Sequence, residues 1–205
     1  MQNRDEGYIK YRCNWIDRDI ISADNIIQLN YWRDRLYRLG LIGVYDDGIG
    51  FGNLSIRKDN ANCFIISGTK TGSIAHLTPQ HYTKVTDFDW QENYVNCIGA
   101  IRASSESLTH AALYTANLEV NAVIHVHNLP LWENLLDRLP TTNKNCAYGT
   151  PEMAREIINL SQKDAVKELK IIIMSGHEEG IITFGKDLDE AGNILLDRYF
   201  SAQNN

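Results

Sequence analysis

The chain has 205 residues, 43% of them hydrophobic and 22% charged, which is typical of a globular protein with a sizeable core. Its net charge of −6 argues against broad binding to a nucleic-acid backbone, but it is compatible with a local positive pocket for a small anion. No apolar run is long enough to cross a bilayer, and the N-terminus lacks the apolar core of a signal peptide. The four cysteines are far apart and form no Cys-x-x-Cys pair, so we expect a reduced cytoplasmic protein with neither a membrane nor a nucleic-acid partner.

The first predicted element is an arm, followed by a helix. Polar and aromatic residues alternate in residues 1–20, which predicts a loosely attached N-terminal arm. Residues 21–205 are then expected to form a single domain. A helix is predicted at 22–39, with Ser22 as its N-cap and Gly40 ending it. Its apolar residues recur at helical spacing at Ile26, Leu29, Trp32, Leu36 and Leu39.

Strands and helices then follow one another along the rest of the chain. In chain order we expect strands at 41–45, 52–57 and 63–66, a loop at 67–80, strands around 85–88 and 94–98, a helix at 106–117, a strand at 122–127, a helix at 151–160, strands at 170–174 and 181–184, and a helix at 187–200. This order predicts an α/β sandwich with helices on both faces of a largely antiparallel sheet.

The predicted strand Ala122-Val123-Ile124-His125-Val126-His127 is the most informative stretch. Side chains alternate along a strand, so His125 and His127 leave one face side by side, spaced to hold one metal ion. His177 follows the apolar run at 171–173 and is the best candidate for a third ligand, because three neutral imidazoles leave a fourth position open, as catalytic zinc requires. The alternative is a structural cross-strand pair, but burying two adjacent basic rings without a partner is costly.

Two further groups of residues could bind an anion. Ser104-Ser105-Glu106 opens a predicted helix, where backbone N–H groups and the helix dipole favour negative charge and Glu106 could act as a general acid/base. Gly52-Asn53-Leu54-Ser55 and Ser67-Gly68-Thr69-Lys70-Thr71-Gly72 are small-residue turns that can bring backbone N–H groups to a phosphate. From the residues alone, a plain helix cap and plain structural turns are the preferred interpretations.

Taken in order, these segments resemble the class II aldolase/adducin family over about residues 26–199. The motifs that carry the resemblance are Gly52-Asn53-Leu54-Ser55, Ser67-Gly68-Thr69, Ser104-Ser105-Glu106, His125-Val126-His127, Gly149-Thr150-Pro151-Glu152 and His177. Each motif is a weak signal, whereas all six in this order are specific. The resemblance implies a three-layer α/β/α sandwich with a mixed, largely antiparallel sheet. It also implies a homotetramer with active sites at subunit interfaces and a divalent metal, most commonly zinc.

The resemblance also implies a role for each matching residue, and it reverses the preference for plain caps and turns. His125, His127 and His177 match the metal ligands, and Glu106 matches the acid/base. The positions that hold the substrate phosphate match Gly52, Asn53, Ser67, Gly68, Ser104 and Ser105. The implied activity is that of a metal-dependent, aldolase-type lyase, which cleaves a C–C bond in a phosphorylated sugar through a metal-stabilised enediolate while Glu106 moves the proton.

Two departures from the family pattern leave the reaction open. The sequence His177-Glu178-Glu179-Gly180 is two residues longer than the common pattern, in which Gly follows the histidine directly. The segment between 127 and 149 is shorter than in the sugar-phosphate aldolases, and Tyr148 is only a loose match for the tyrosine acid of those enzymes. The alternatives are therefore a sugar-phosphate dehydratase or epimerase on the same site, or a non-catalytic adducin-like binding module.

Overall fold

A computed structural model describes residues 7–58 and 62–203 of the chain. In this part of the chain the helices are α1 (Ala23–Arg38), α2 (Ser107–Ala116), α3 (Leu129–Leu135), α4 (Pro151–Ser161), α5 (Asp164–Leu169) and α6 (Leu188–Gln203). The strands are β1 (Arg12–Asp17), β2 (Gly43–Val44), β3 (Gly50–Phe51), β4 (Asn53–Arg57), β5 (Phe64–Ser67), β6 (Tyr82–Asp89), β7 (Tyr94–Gly99), β8 (Ala122–His127), β9 (Ile171–Ile173) and β10 (Gly180–Gly185).

Eight of these strands form one sheet in the order β1-β7-β6-β5-β4-β8-β10-β9, while β2 and β3 form a separate two-stranded ribbon. Only the edge pair β1–β7 is parallel among the described strands, and every other neighbouring pair is antiparallel. The predicted mixed, largely antiparallel sheet is therefore confirmed.

Side-chain alternation along β8 divides the molecule into three layers. Ala122, Ile124 and Val126 pack in one core with residues of α1, α3 and α6. Val123 packs in the other core, with residues of α2, α4 and α5. Because each face of the sheet buries its own hydrophobic core, the predicted α/β/α sandwich is confirmed.

Helix α1 forms where its apolar periodicity predicts, within one residue at each end. The backbone N–H of Ser22 donates to Asn25 Oδ1 (3.4 Å), and Gly40 takes a φ of +69° just after the helix. The side chains of Leu29, Trp32 and Leu36 are buried against the sheet, as their spacing requires.

The predicted loose attachment of the N-terminal arm is wrong for the residues that the structure describes. Arg12–Asp17 pairs in parallel with Tyr94–Gly99 as an edge strand of the main sheet. Tyr11, just before this strand, is buried, and its hydroxyl contacts the backbone oxygens of Ala103 (2.9 Å) and Ser104 (3.0 Å). Residues 1–6 of the predicted arm lie outside the described residues.

Short elements account for the other differences. The strand predicted at 41–45 is reduced to Gly43–Val44 in the ribbon, and the helices Leu129–Leu135 and Asp164–Leu169 were not expected from the sequence. They have only seven and six residues, which is too short for a helical period to stand out. Over residues 7–58 and 62–203, no helix has the length and apolar character needed to span a membrane.

Substitution of Gly192 by alanine tests the packing of α1 on α6. A Cβ at Gly192 would overlap the fully buried indole of Trp32, whose Nε1 also donates to Asp189 Oδ1 (2.7 Å). We expect Gly192→Ala to lower the free energy of unfolding by about 1–3 kcal/mol, measured by urea denaturation. Asn193→Ala at the next, exposed position is the control and should change it by less than about 0.5 kcal/mol. Equal stability of the two variants would contradict this packing.

Candidate metal centre and anion pocket

The structure brings the three predicted histidine ligands into one buried cluster. His125 and His127 project from the same face of β8, and His177 lies in the turn between β9 and β10. Their exposed fractions are 1%, 2% and 4%, and one ring nitrogen of each lies within 4.8 Å of the others. The Nε2 atoms of His125 and His127 are 3.0 Å apart.

Hydrogen bonds on the far side of two rings determine where their protons lie. His125 Nδ1 is 3.3 Å from the backbone oxygen of Ile181, which can only accept, so this nitrogen carries the hydrogen. His127 Nδ1 is 2.8 Å from the hydroxyl of Tyr45, which donates its own hydrogen to Glu179 Oε2 (2.8 Å). The Tyr45 oxygen is therefore left to accept from His127 Nδ1.

With both Nδ1 atoms protonated, the two Nε2 lone pairs of His125 and His127 converge at 3.0 Å. Such lone pairs repel each other unless a cation lies near both, so the donor set fits a divalent metal. Burial, followed by the neighbouring His177 and His110, holds the pKa of His125 well below its usual value. The ring is therefore neutral near pH 7, as a ligand must be.

The Glu106 carboxylate lies beside this cluster. Glu106 is the N-cap residue of α2 and is only 1% exposed. Its Oε1 is 3.9 Å from His177 Nδ1, and its Oε2 accepts from Thr109 Oγ1 (2.8 Å). An acidic side chain in this position is suited to moving a proton next to a bound cation.

A cavity of about 300 Å³ lies beside the cluster, because its lining includes Asn53, the register partner of His125, and Ser105, the residue before Glu106. Most of the predicted phosphate-binding residues line this cavity. Gly52, Asn53, Gly68, Ser104 and Ser105 line it. Ser67 does not, because it lies inside the sheet at the end of β5, where its Oγ accepts from the backbone N–H of Leu54 (3.3 Å).

The cavity wall and the metal cluster share a strand pair. Asn53 of β4 is the register partner of His125, and the Phe51 ring lies 5.6 Å from that of His127. Gly52, with a φ of +76°, makes the bend between them, and a Cβ there would come within 2.7 Å of Ile42 and 3.2 Å of the His125 carbonyl oxygen. Only glycine fits this close approach of the turn to β8.

A buried arginine that sequence analysis missed supports the opposite wall. Arg33 is 1% exposed and donates to the backbone oxygens of Thr71 (3.1 Å), Gly72 (3.3 Å) and Ala75 (2.9 Å). These bonds hold the loop that places Lys70, a cation, on the cavity wall. No sequence signal identifies Arg33, because a charged residue in a helix is usually solvated.

The N-terminal residues also reach the site. Gly7 and Tyr8 line the cavity, and the backbone N–H of Tyr8 donates to the hydroxyl of Tyr148 (3.3 Å). The Tyr148 ring stacks on His177 with centroids 4.7 Å apart, and Lys10 Nζ lies 3.8 Å from the centroid of Tyr148. Tyr148, only a loose candidate by sequence, is thus in contact with the histidine cluster.

His110 lies one helical turn after Glu106 in α2, and its side chain contacts Ser55 rather than the Glu106 carboxylate. Its Nδ1 lies 2.7 Å from Ser55 Oγ, which is in turn 2.7 Å from the Tyr114 hydroxyl. Complete burial lowers the pKa of His110 to about 3, so this ring is neutral under ordinary conditions.

Comparison with known proteins places these features in one family. The family model described as Class II Aldolase and Adducin N-terminal domain matches residues 37–203. A 3-oxo-tetronate 4-phosphate decarboxylase of Haemophilus influenzae is 26% identical over 196 residues, covering 85% of this chain and 82% of its own length. An L-fuculose phosphate aldolase of Methanocaldococcus jannaschii is 26% identical over 153 residues, covering 68% of this chain and 75% of its own.

Solved structures agree on the fold. An L-fuculose 1-phosphate aldolase superposes with a TM-score of 0.69 at 19% identity, covering 90% of this chain and 86% of that one. YgbL of Klebsiella pneumoniae, described as a putative aldolase/epimerase/decarboxylase, gives a TM-score of 0.67 at 19% identity, covering 90% and 89%.

Removal of one imidazole should abolish tight metal binding. Loss of a residue that hydrogen-bonds to a metal ligand typically weakens metal affinity by about 10- to 100-fold. Loss of the ligand itself should cost more, so we expect His127→Ala to weaken zinc affinity by more than about 100-fold, measured by chelator competition. His76→Ala, which removes an exposed histidine outside the cluster, should bind zinc like the wild type. Wild-type affinity in His127→Ala would contradict the assignment of the cluster as a metal centre.

The buried His110 should make the metal-free protein less stable in mild acid. The unfolded chain takes up a proton on this ring below about pH 6.5, whereas the folded chain resists until about pH 3, so stability falls as the pH drops between these values. Urea denaturation at pH 7 and pH 5 should show a loss that is about 2 kcal/mol smaller in His110→Gln than in the wild type. The same pH dependence in both proteins would show that folding does not lower the pKa of His110.

Proposed function

The chain belongs to the class II aldolase and adducin family, and from this we propose that it is a zinc-dependent, aldolase-type lyase that breaks a C–C bond in a phosphorylated sugar or sugar acid. The observation that carries the proposal is the buried Glu106 carboxylate, 3.9 Å from His177 in a cluster of three histidines. A cavity lined by Ser104, Ser105 and glycines adjoins this cluster.

The reactions named for the two kinds of relative share one chemical requirement, which is the stabilisation of an enolate. Aldol cleavage and decarboxylation of an oxo acid both break a C–C bond close to a carbonyl group, and both leave the electron pair as an enolate. The relatives are an aldolase of a sugar phosphate and a decarboxylase of an oxo-acid phosphate, which supports this common intermediate for the present chain. In either reaction, stabilising the negative charge of the enolate makes the largest single contribution to lowering the barrier.

Each part of the site has a role in this scheme. His125, His127 and His177 would hold the cation, which supplies a Lewis acid for the substrate carbonyl oxygen. Glu106 would move the proton: its carboxylate would take the hydrogen of the hydroxyl group on the carbon that leaves as the aldehyde while the C–C bond breaks, and would then give it to the enolate carbon. Ser104 and the neighbouring backbone N–H groups at the start of α2 would bind the phosphate and so fix the carbonyl relative to the carboxylate.

A second candidate is decarboxylation itself. The decarboxylase relative covers 85% of this chain, against 68% for the aldolase relative, and the two are equally identical to it. Dehydration and epimerisation can also proceed through an enediolate, and they are distinguished from C–C cleavage by their products. A non-catalytic binding module is disfavoured because it would need neither the three buried ligands nor Glu106.

We further propose that the protein is a homotetramer and that it lies in the cytoplasm. Light scattering tests the homotetramer by measuring the molar mass in solution.

A substrate screen with Glu106→Gln tests the catalytic proposal. The panel contains ketose and aldose phosphates and oxo-acid phosphates, with products identified by NMR as an aldehyde, carbon dioxide, a dehydrated sugar or an epimer. Because the amide cannot carry the proton, we expect kcat/KM to fall at least about 100-fold in Glu106→Gln while zinc content is retained. Glu133→Gln on the exposed side of α3 is the matched control and should keep full activity.

The outcomes separate the hypotheses. Release of an aldehyde supports the aldolase, and release of carbon dioxide supports the decarboxylase. Wild-type turnover in Glu106→Gln would overturn the role of this carboxylate. A zinc-loaded wild type without turnover on any member of the panel would count against a lyase of this substrate class.

A further inference from the structure

We propose that Tyr45 and Glu179 are positioning residues that set the tautomer of His127 and thereby determine how tightly the metal centre binds its cation. The proposal rests on the metal centre of the proposed function and extends it to two side chains outside the ligand set. The Tyr45 hydroxyl lies 2.8 Å from His127 Nδ1 and 2.8 Å from Glu179 Oε2.

The chemistry of the three groups gives the bonds a direction. A carboxylate can only accept, so the single hydroxyl hydrogen of Tyr45 goes to Glu179. The Tyr45 oxygen then accepts from His127 Nδ1, and the lone pair of His127 is placed on Nε2, 3.0 Å from His125 Nε2. Without the carboxylate, Tyr45 is able to donate to Nδ1, which moves the ring hydrogen to Nε2 and blocks the metal-binding nitrogen.

The backbone holds Tyr45 in place for this role. It begins the turn between β2 and β3, where its N–H donates to the Ile49 oxygen (2.9 Å) and its own oxygen accepts from Gly48 (2.9 Å). Its ring packs against Phe51, with centroids 4.4 Å apart. Two hydrogen bonds and one ring contact therefore limit the positions open to the hydroxyl.

Glu179 is held by a strained turn. Its φ is +67°, a left-handed conformation that is unfavourable for a residue with a Cβ. The backbone oxygen of Glu179 accepts from the N–H of Asn128, next to His127, and Gly180 N–H donates to the His177 oxygen (2.9 Å), which closes the turn. Strained backbone conformations of this kind cluster at functional sites, and here the side chain of the strained residue reaches Tyr45.

The neighbouring residue provides a matched control. Glu178 is also one of the two residues between His177 and Gly180, but its side chain is exposed. Glu178→Ala and Glu179→Ala therefore remove the same charge from the same turn. Only Glu179→Ala removes the acceptor of the Tyr45 hydroxyl, so a general loss of negative charge near the cation would affect both variants alike.

Zinc affinity, measured by chelator competition, is the main test. Tyr45→Phe and Glu179→Ala should each weaken binding by about 10- to 100-fold, whereas Glu178→Ala should bind like the wild type. In the Tyr45→Phe background, Glu179→Ala should have little further effect, because the proposed influence of the carboxylate on His127 passes through the hydroxyl. Urea unfolding of the metal-free variants should match the wild type, which separates lost affinity from lost structure.

A second measurement reads the tautomer directly. Long-range ¹H–¹⁵N NMR of the metal-free protein should show His127 with its hydrogen on Nδ1 in the wild type and on Nε2 in Glu179→Ala, where Tyr45 has lost this acceptor. Unchanged zinc affinity in Tyr45→Phe, or the same tautomer in both proteins, would overturn the proposal while leaving the metal centre intact. A wild-type protein that binds no zinc would overturn both this proposal and the assignment of the metal centre. Zinc binding without turnover would count only against the lyase.

Discussion

The alternation of side chains along β8 is the constraint on which the site depends. Residues 123, 125 and 127 face the layer of α2, α4 and α5, whereas 122, 124 and 126 face the layer of α1, α3 and α6. A shift of one residue would move both histidines to the opposite face, away from Glu106 at the start of α2. Because β8 is paired on both sides, with β4 and β10, its register is fixed twice.

The same pairing explains why the metal cluster and the anion pocket are neighbours. The β4 register places Asn53 opposite His125, and the β10 register places Gly180 opposite His127. One partner strand thus begins at the cavity wall, and the other begins just after the turn that carries His177. These two strand pairings therefore bring together residues that are more than fifty positions apart in the chain. Under the proposed function, the phosphate and the carbonyl group of one small substrate would be held at the same time, because both candidate subsites are attached to β8.

Sequence predicted the parts of this arrangement that depend on local pattern. The β-branched run around His125 predicts a strand, and the helical spacing of Leu29, Trp32 and Leu36 predicts α1. Both patterns are local, so they can be recognised without knowing the tertiary contacts. The edge strand Arg12–Asp17 escaped prediction because it is largely exposed, and only Cys13 and Trp15 on one face are partly buried. Ser67 was assigned to the phosphate from motif order alone, yet the end of β5 directs its hydroxyl to a backbone N–H. Tertiary contacts decide that outcome, and no local pattern contains them.

Arg33 and Tyr45 show what burial adds to a motif. A buried guanidinium is stable only when its donors are used, and three carbonyl oxygens of the loop at 71–75 accept from Arg33. An imidazole that is nearly fully buried needs a partner for each nitrogen, and Tyr45 with Glu179 provides one for His127. In both cases a polar group that is costly to bury fixes the position of a group in the candidate site. The ligand motif states which residues bind, whereas these supporting contacts determine how rigidly they are held and in which protonation state.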